Sequence, residues 1–529
     1  MKKYNLTLVN IYSAENTAEY LFSSYVLKAY IDKYIPGNAL SITILNFSGS
    51  NEISGICEQI MGGSPDWVGY SCYIWNIEKI LEIAKNIKAS APPPVQIFGG
   101  PEISINRISS LPDPSAADYY VLGEGEKKLC SLLTYLIENS PGSVVPKGIA
   151  YIRNNKVEYS VDTSTITRLD DIPSVYLNNV IDDNLYSAGQ AFLETQRGCV
   201  FKCKYCVYHK NLSRISYYSL ERIFAELEHL VLKKRILMLR IFDAVFTSNI
   251  GRAKNIAQHL LKLKNQKGIR MPWIFWELTP INFDEEFAEM TAALKNRENI
   301  NNCNEMPVVD KPQHYSDMQR GYNVISGVGI QSFCKESLKA VGRVNIQKER
   351  LARFMGLMKK HNLVMKLDLI LGLPFETFDS YFEGLEYFLP FLKDTDHVLN
   401  IHRLQILPGS DLEDSCAKYS IDYSLTAPHT VFSTPTFSEK ELNEASKLTA
   451  VLLRVLNSPL RKYLFAVKER TGNSFLKITK TVLDGIYATD NYRNITLVKE
   501  DQVDDIYWND KIFFEIPSEW LIGRLEDIR

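Results

Sequence analysis

The sequence predicts an α/β protein built from two sheet domains and a smaller, mainly helical C-terminal domain. Three observations carry this. Strand-like and helix-like runs alternate twice, from residue 1 to about 140 and from about 188 to 415, and such alternation builds parallel sheets covered by helices. At 529 residues the chain is too long for one hydrophobic core. Hydrophobic residues at 45% and charged residues at 23% are ordinary globular usage, and no stretch approaches the roughly 18 continuous apolar residues of a membrane span.

In the first domain, residues 1–141, strands are expected over Leu6 to Ile11, Ser41 to Phe47, Trp67 to Tyr73, Val95 to Phe98 and Tyr119 to Leu122. Helices are expected over Tyr20 to Tyr34, Ile77 to Ile87 and Glu126 to Ile137. The second of these places Ile77, Ile80, Leu81, Ala84 and Ile87 on one face. The result is a doubly wound, Rossmann-like sheet, whose binding crevice lies at the carboxyl ends of its strands. Those ends carry Gly69 to Tyr73, including Ser71 and Cys72, then Gly99-Gly100-Pro101-Glu102 and Gly123-Glu124-Gly125-Glu126. Small and turn-forming residues there let a ligand approach the backbone, although glycine after a strand is also ordinary turn chemistry.

A hairpin signal, Asn154-Asn155 between Gly148 to Arg153 and Lys156 to Val161, marks residues 142–187 as a connecting piece. The second domain, residues 188–415, offers strands at Phe192 to Thr195, Ile236 to Phe242, Trp273 to Glu277, Val324 to Gln331, Val364 to Leu371 and His397 to Gln405. Helices such as Ser219 to Lys233 and Thr377 to Leu392 separate them. Six strands with right-handed crossovers curl into a partial (β/α)6 barrel of TIM type, with its site on the C-terminal rim. The polar stretch Asn296 to Gly321, with Cys303 and His314, interrupts the alternation and reads as a long loop or lid. Residues 416–529 form the mainly helical C-terminal domain, in which a helix at Glu439 to Asn457 leads into a strand-containing tail rich in aromatics.

Charge and cysteine usage narrow the function. A formal net charge of −2 gives no global field for nucleic acid. The N-terminus shows no apolar signal core, so secretion is not expected and a cytoplasmic protein is. Six of nine cysteines (Cys57, Cys72, Cys130, Cys303, Cys334, Cys416) are isolated and read as packing residues. The other three crowd together in Thr195-Gln196-Arg197-Gly198-Cys199-Val200-Phe201-Lys202-Cys203-Lys204-Tyr205-Cys206-Val207-Tyr208-His209, just after the first strand of the second domain. Three thiols on one loop can ligate three irons of a cubane, with Arg197, Lys202 and Lys204 expected to favour thiolates. The fourth iron then has an open position where a small molecule coordinates. A zinc knuckle of the three cysteines and His209 is the competing reading of the same spacing.

The CxxxCxxC spacing, with an aromatic before the last cysteine, resembles the signature of the radical S-adenosylmethionine (SAM) superfamily. Further segments resemble its branch with an N-terminal cobalamin-binding domain: Phe242 to Thr247, Trp276 to Pro280, Gly329-Ile330-Gln331-Ser332 with Leu338 and Arg343, Asp368 to Pro374, and Leu407 to Ser410. Val68 to Asn76 and Phe98 to Glu102 look like that N-terminal domain. Ala427-Pro428-His429 and Asn457-Ser458 are similar to an uncharacterised C-terminal domain found with some members.

The resemblance implies that Cys199, Cys203 and Cys206 hold a 4Fe-4S cluster. It implies SAM contacts from Tyr205, Asp243, Glu277, Gln331, Arg343 and Asp368, with Arg343 on the carboxylate and Glu277 on the amino group. Cobalamin would lie on Ser71, Cys72, Tyr73, Gly99, Gly100, Gly123, Glu124 and Gly125. His402 and Arg403, on the last strand, face either substrate or structural partners. The first histidine in the sequence is His209, so the first domain has none to ligate cobalt. The implied reaction is cobalamin-dependent C-methylation of a small molecule, fed by a flavodoxin or ferredoxin-type electron donor. A radical reaction without methyl transfer, and a non-catalytic iron-sulfur or zinc protein, are the alternatives.

Overall fold

The computed structural model describes residues 2–12, 22–138, 144–154, 156–162, 164–182, 189–208, 214–266, 269–295, 324–492 and 516–528. The loop expected over 296–321, and His209, lie outside these.

The first sheet contains β1 (Tyr4–Tyr12), β2 (Leu40–Ser48), β3 (Trp67–Ser71), β4 (Val95–Gly99) and β5 (Tyr119–Val121), parallel in the order β2-β1-β3-β4-β5. Both faces are covered by helices, so its strands are apolar in near-continuous runs: Leu6, Leu8, Val9 and Ile11 of β1 are all buried. Helix α1 (Phe22–Tyr34) follows β1, and α2 (Ile53–Gly62) connects β2 to β3. Between β3 and β4 runs α3 (Ile77–Lys88), which buries the face read from its periodicity. The short α4 (Ile105–Ser110) and the longer α5 (Gly125–Glu138) complete the set. Chain order reverses between β1 and β3, which makes the ends of those strands the switch point where a crevice forms.

Two of these helices were not expected from sequence. In α2, Gly55 and Gly62 weaken helix propensity and only Ile56 and Ile60 are buried, while α4 is too short to show a period. The crossover between parallel strands, not local preference, makes them helical. Strand β3 ends two residues before the expected Tyr73, because the Tyr73 N–H donates to Asn76 Oδ1 at 2.7 Å and begins the turn into α3. The hairpin β6 (Ile149–Arg153) and β7 (Lys156–Tyr159) forms as expected, and it extends the first sheet antiparallel beyond β5.

The second sheet is wholly parallel, in the order β15-β14-β13-β12-β11-β8. Its strands are β8 (Gln190–Leu193), β11 (Met238–Ile241), β12 (Trp273–Leu278), β13 (Val324–Gln331), β14 (Val364–Leu371) and β15 (Val398–Arg403). This is the expected six-stranded partial barrel. The short pair β9 (Gln196–Arg197) and β10 (Ser216–Tyr217) sits above β8, at the base of the cysteine loop. The helix expected over 219–233 is α-helical through Glu228, then widens into a π turn over His229–Lys233.

Beyond a two-stranded ribbon, β16 (Asp422–Tyr423) and β17 (Val431–Ser433), the tail is helical over Glu439–Leu456, Arg461–Thr471, Phe475–Ala488 and Ser518–Asp527, so that where strands were expected after the first of these the described residues are helices packed on one another. It closes the open edge of the barrel. Asn457 accepts from Leu399 N–H at 3.0 Å and donates to Leu399 O at 2.7 Å, giving edge strand β15 the partners a neighbouring strand would supply. No helix among the described residues is long and apolar enough to cross a membrane.

Candidate active site

Asp243 braces the base of the cysteine loop. Asp243, fully buried after β11, accepts from Thr195 N–H at 2.7 Å, Gln196 N–H at 3.1 Å and Thr195 Oγ1 at 2.5 Å. Burial pushes its carboxyl up to about 7, against these donors. The structure therefore turns Asp243 towards the loop's backbone.

Cys199, Cys203 and Cys206 are free thiols that pack with Phe201, Tyr205, Val245 and Ile281 in one small cluster. The Cys206 N–H closes a turn onto Cys203 O at 3.0 Å, and the Phe201 N–H donates to Cys199 Sγ at 3.4 Å. Further along, Lys204 N–H reaches Val341 O and Leu412 N–H reaches Lys204 O, both at 2.8 Å. Gly342, at φ +66°, lies so close to the loop that a Cβ would stand 3.0 Å from Lys202 O. Arg343 stacks on Phe201, 4.2 Å from the ring centre, donates to Gly329 O, and brings Nη1 to 3.6 Å from Cys203 Sγ. An arginine and a backbone N–H beside the thiols suit a thiolate-held cluster.

The basic residues expected to serve the thiolates do not all do so. Arg197 is turned into a buried set of carboxylates and Lys204 Nζ lies 3.5 Å from Tyr419 Oη. Burial raises the Cys199 and Cys206 thiols, with Arg343 opposing that shift at both.

The inner face of the barrel gathers Glu277, Gln331, Asp368 and Arg343. Successive residues of a strand point to opposite faces, so Gly327, Gly329 and Gln331 of β13 share one side. Glu277 pairs in register with Gly327, and its carboxylate lies where a Gly327 Cβ would be, 2.3 Å from Oε1. Gln331, at φ +75° beyond an irregularity in β13, folds back so that a Cβ on Gly329 would meet its Nε2 at 2.2 Å and Arg343 Nη2 at 3.5 Å. The two glycines clear the floor that these side chains occupy. Asp368 pairs with Gly329 and Asn400, accepts from Asn400 Nδ2 at 3.1 Å, and has His402 Nε2 3.5 Å away. Burial, then the Asp368 charge, pushes Glu277 up to about 7, while Lys366, Arg240 and His402 oppose the shift. Tyr205 is partly buried within the loop, and burial raises its hydroxyl far above the usual range. Arg403 faces away from this set, bonded to Val431 O at 3.1 Å and Asn443 Oδ1 at 2.8 Å.

Three contributors were not read from sequence. Arg240 is the single charge in the otherwise apolar β11, and Lys366 stands two residues before Asp368 in the otherwise apolar β14; those interruptions were the available signal. Glu376 is fully buried and accepts from Ser332 Oγ at 2.6 Å and Gly372 N–H at 3.1 Å, tying the ends of β13 and β14 together. No sequence spacing announces that contact.

In the first domain, the ends of β3, β4 and β5 bound the crevice. Ser71 Oγ lies 3.2 Å from Ser24 Oγ, and Tyr73 stacks on Trp75 with ring centres 4.4 Å apart. Gly100, at φ +122°, packs so tightly that a Cβ would stand 2.4 Å from Cys72 O, whereas Gly99 has ordinary room. Gly123 and Gly125 flank the β5 turn, at φ +76° for Gly123 and with Leu27 3.1 Å from where a Gly125 Cβ would be. Two of the expected residues are turned elsewhere. Cys72 is fully buried with its thiol towards Tyr70 O, and Glu124 accepts from Arg197 and, at 3.1 Å, from Ile166 N–H. Ser71, Tyr73, Gly99, Gly100, Gly123 and Gly125 remain along the crevice.

The two domains meet through buried charges. Arg197 Nη1 and Nη2 reach Glu124 at 3.1 Å and Glu126 at 2.6 Å, and its Nε reaches Glu194 at 2.9 Å. Burial would raise Glu126, but Arg197 outweighs it and the net shift is downward. The first domain also meets the C-terminal domain, where Glu102 Oε1 lies 2.9 Å from His429 Nε2 and accepts from Arg107 Nε at 3.3 Å. Glu102 and His429, both inside segments singled out by resemblance, are thus partners across 327 positions of chain.

Residues 25–133 match the B12 binding domain family. The chain is 25% identical over 355 residues to the cobalamin-dependent radical SAM methyltransferase TokK of Streptomyces tokunonensis, covering 66% of this chain and 48% of TokK. It spans about half the length of the curated relatives it matches. Among solved structures, the fold is similar to the radical S-adenosylmethionine methyltransferase TsrM of Kitasatospora setae with tryptophan substrate and a SAM analogue bound. The TM-score there is 0.60 at 17% identity, over 82% of this chain and 80% of TsrM. It is also similar to the cobalamin-dependent S-adenosylmethionine radical enzyme OxsB, with a TM-score of 0.62 at 15% identity, over 93% of this chain and 74% of OxsB. The fold is thus similar to that of these cobalamin-dependent radical SAM enzymes: a Rossmann-like first domain, whose residues 25–133 match the B12 binding domain family, followed by a six-stranded partial barrel.

Proposed function

We propose that the chain is a radical SAM enzyme that binds a 4Fe-4S cluster through Cys199, Cys203 and Cys206, binds cobalamin in its first domain, and methylates a carbon of a small-molecule substrate. One observation carries the reading. Three free thiols on a loop braced by Arg343 stand over an inner barrel face that presents Glu277, Gln331 and Asp368. When bound, these cofactors supply an electron that cleaves SAM to methionine and a 5'-deoxyadenosyl radical, and a methyl group for transfer.

The chain's own residues bind and orient. Arg343, beside Cys203, would offer a planar guanidinium to the SAM carboxylate. Ionised Glu277 accepts from the SAM amino group, and Gln331 and Asp368 address the ribose hydroxyls. The backbone of Tyr205 lies by the adenine. Asp243 serves the site indirectly, by fixing Thr195 and Gln196 at the base of the loop. Ser71, Tyr73 and the glycines at 99, 100, 123 and 125 line the place for the corrin. With no histidine before His209, the first domain gives cobalt no imidazole. Electrons come from a flavodoxin or ferredoxin-type protein in the cytoplasm.

Anaerobic reconstitution with iron, sulfide and hydroxocobalamin, followed by gel filtration and spectroscopy of the reduced cobalt, tests the cobalamin half. Retained corrinoid in the base-off form is expected. A protein that retains none, yet cleaves SAM, would leave a radical reaction without methyl transfer.

A further inference from the structure

The contact between Arg197 and the first domain lies close to the proposed cluster. Each of its three guanidinium nitrogens meets a different carboxylate, and the Arg197 side chain is only 11% exposed. Glu194 belongs to the same stretch of chain, but Glu124 and Glu126 come from the turn that opens α5 in the first domain. Arg197 stands two positions before Cys199. The residue between, Gly198, is wedged at φ +102°, where a Cβ would stand 2.8 Å from Arg214 O and 3.1 Å from Ile215 Cα. The chain leading into Cys199 is therefore set from both sides, by the barrel through Asp243 and the β9–β10 pair and by the first domain through the Arg197 side chain. Cys203 is set by the barrel, through Arg343 and the Lys204 backbone bonds to Val341 and Leu412.

The three thiols thus answer to two domains. We propose that Glu124 and Glu126 are positioning residues for the cluster: through Arg197 they hold Cys199 in place relative to Cys203 and Cys206. The first domain then does more than offer a cofactor crevice, because its β5 turn completes the geometry of the thiol loop. This rests on the cluster reading above. A lysine at 197 keeps the charge but cannot direct three fixed N–H vectors to three carboxylates, so Arg197→Lys is a sensitive probe.

The test uses the full chain, reconstituted anaerobically with iron and sulfide, as wild type, Arg197→Lys, Glu126→Gln and Ile80→Ala. Ile80 is fully buried in the first domain's own core and serves as a control for lost stability alone. Iron release to a ferrous chelator, the electron paramagnetic resonance of the reduced cluster, and the thermal midpoint are recorded for each. Arg197→Lys and Glu126→Gln are expected to release iron about ten-fold faster, the usual scale for losing an outer-shell partner, with an altered resonance. Ile80→Ala should lower the midpoint at least as far while keeping the wild-type rate and spectrum. Release rates that simply track the thermal midpoints across all three variants would overturn the proposal and leave the cluster reading intact. A wild-type protein that takes up no cluster would overturn both.

Discussion

The cysteine loop and the crevice of the first domain are built in opposite ways. Around the loop, side chains do the holding: Asp243 grips its base, Arg197 ties it to the first domain, and Arg343 lies against Phe201 and Cys203. Around the crevice, backbone and small residues shape the space, with Gly100 pressed against the Cys72 carbonyl and Gly99 and Gly123 at the strand ends. A site that ligates metal needs particular donor atoms in fixed places, whereas a site for a broad, flat ligand needs cleared space. The first kind leaves a spacing in the sequence. The second leaves only glycines, which turns also use.

Substitutions on the two sides should differ accordingly, and the largest effect belongs to the loop. Cys203→Ala, or the same change at Cys199 or Cys206, should abolish the cluster and SAM cleavage in a folded protein, as iron analysis would record. Next comes Asp243→Ala, which strands the buried Thr195 N–H, Gln196 N–H and Thr195 hydroxyl. At about 1–3 kcal/mol for each unsatisfied group, loss of several kcal/mol in denaturant unfolding is expected, together with cluster loss. Wild-type stability in that variant would show that the loop holds itself.

Arg343→Ala should weaken SAM binding by about 1.5–3 kcal/mol, the scale of a hydrogen bond to a charged group, with a smaller effect on the thermal midpoint. An unchanged affinity with a large stability loss would make Arg343 a brace for Phe201 and Cys203 only.

Glu277 predicts a pH dependence. Its carboxyl is raised to about 7, so the folded protein binds this proton more tightly than the unfolded chain does. That proton stabilises the fold at low pH, and the advantage is lost as pH climbs through 7. SAM, which needs the ionised form as acceptor, should bind more tightly over the same range. Titrating SAM from pH 6 to 8 should show this rise in wild type and a flat profile in Glu277→Gln; parallel profiles would remove Glu277 from the SAM site. The smallest effect is on the crevice: Gly99→Ala has room for its methyl and should leave stability within about 0.5 kcal/mol while weakening hydroxocobalamin retention. Equal retention would place the corrin away from β4.

How much of this was legible in the sequence follows the same division. The strands β13 and β14 match their expected bounds residue for residue, because alternate positions along each stay buried to its end even where the other face carries Gln331, Lys366 and Asp368. The three cysteines declared themselves by spacing. Arg197 was read from its charge alone, as a partner for thiolates, and the structure gives it to Glu124, Glu126 and Glu194, since a one-dimensional pattern cannot say which domain will fold over a loop. Asp243 was found as a residue that matters, but its direction depends on where the Thr195 backbone ends up. Cys72 sat among crevice residues in sequence, yet strand alternation and tight packing against Gly100 turn its thiol inward.

The most direct test of the whole account is SAM cleavage by the anaerobically reconstituted protein, with dithionite as reductant and no added substrate. The wild type should form 5'-deoxyadenosine, and a variant with Cys199, Cys203 and Cys206 all changed to alanine should form none. Equal 5'-deoxyadenosine from both proteins, or none from a wild type shown to carry its full iron, would contradict it.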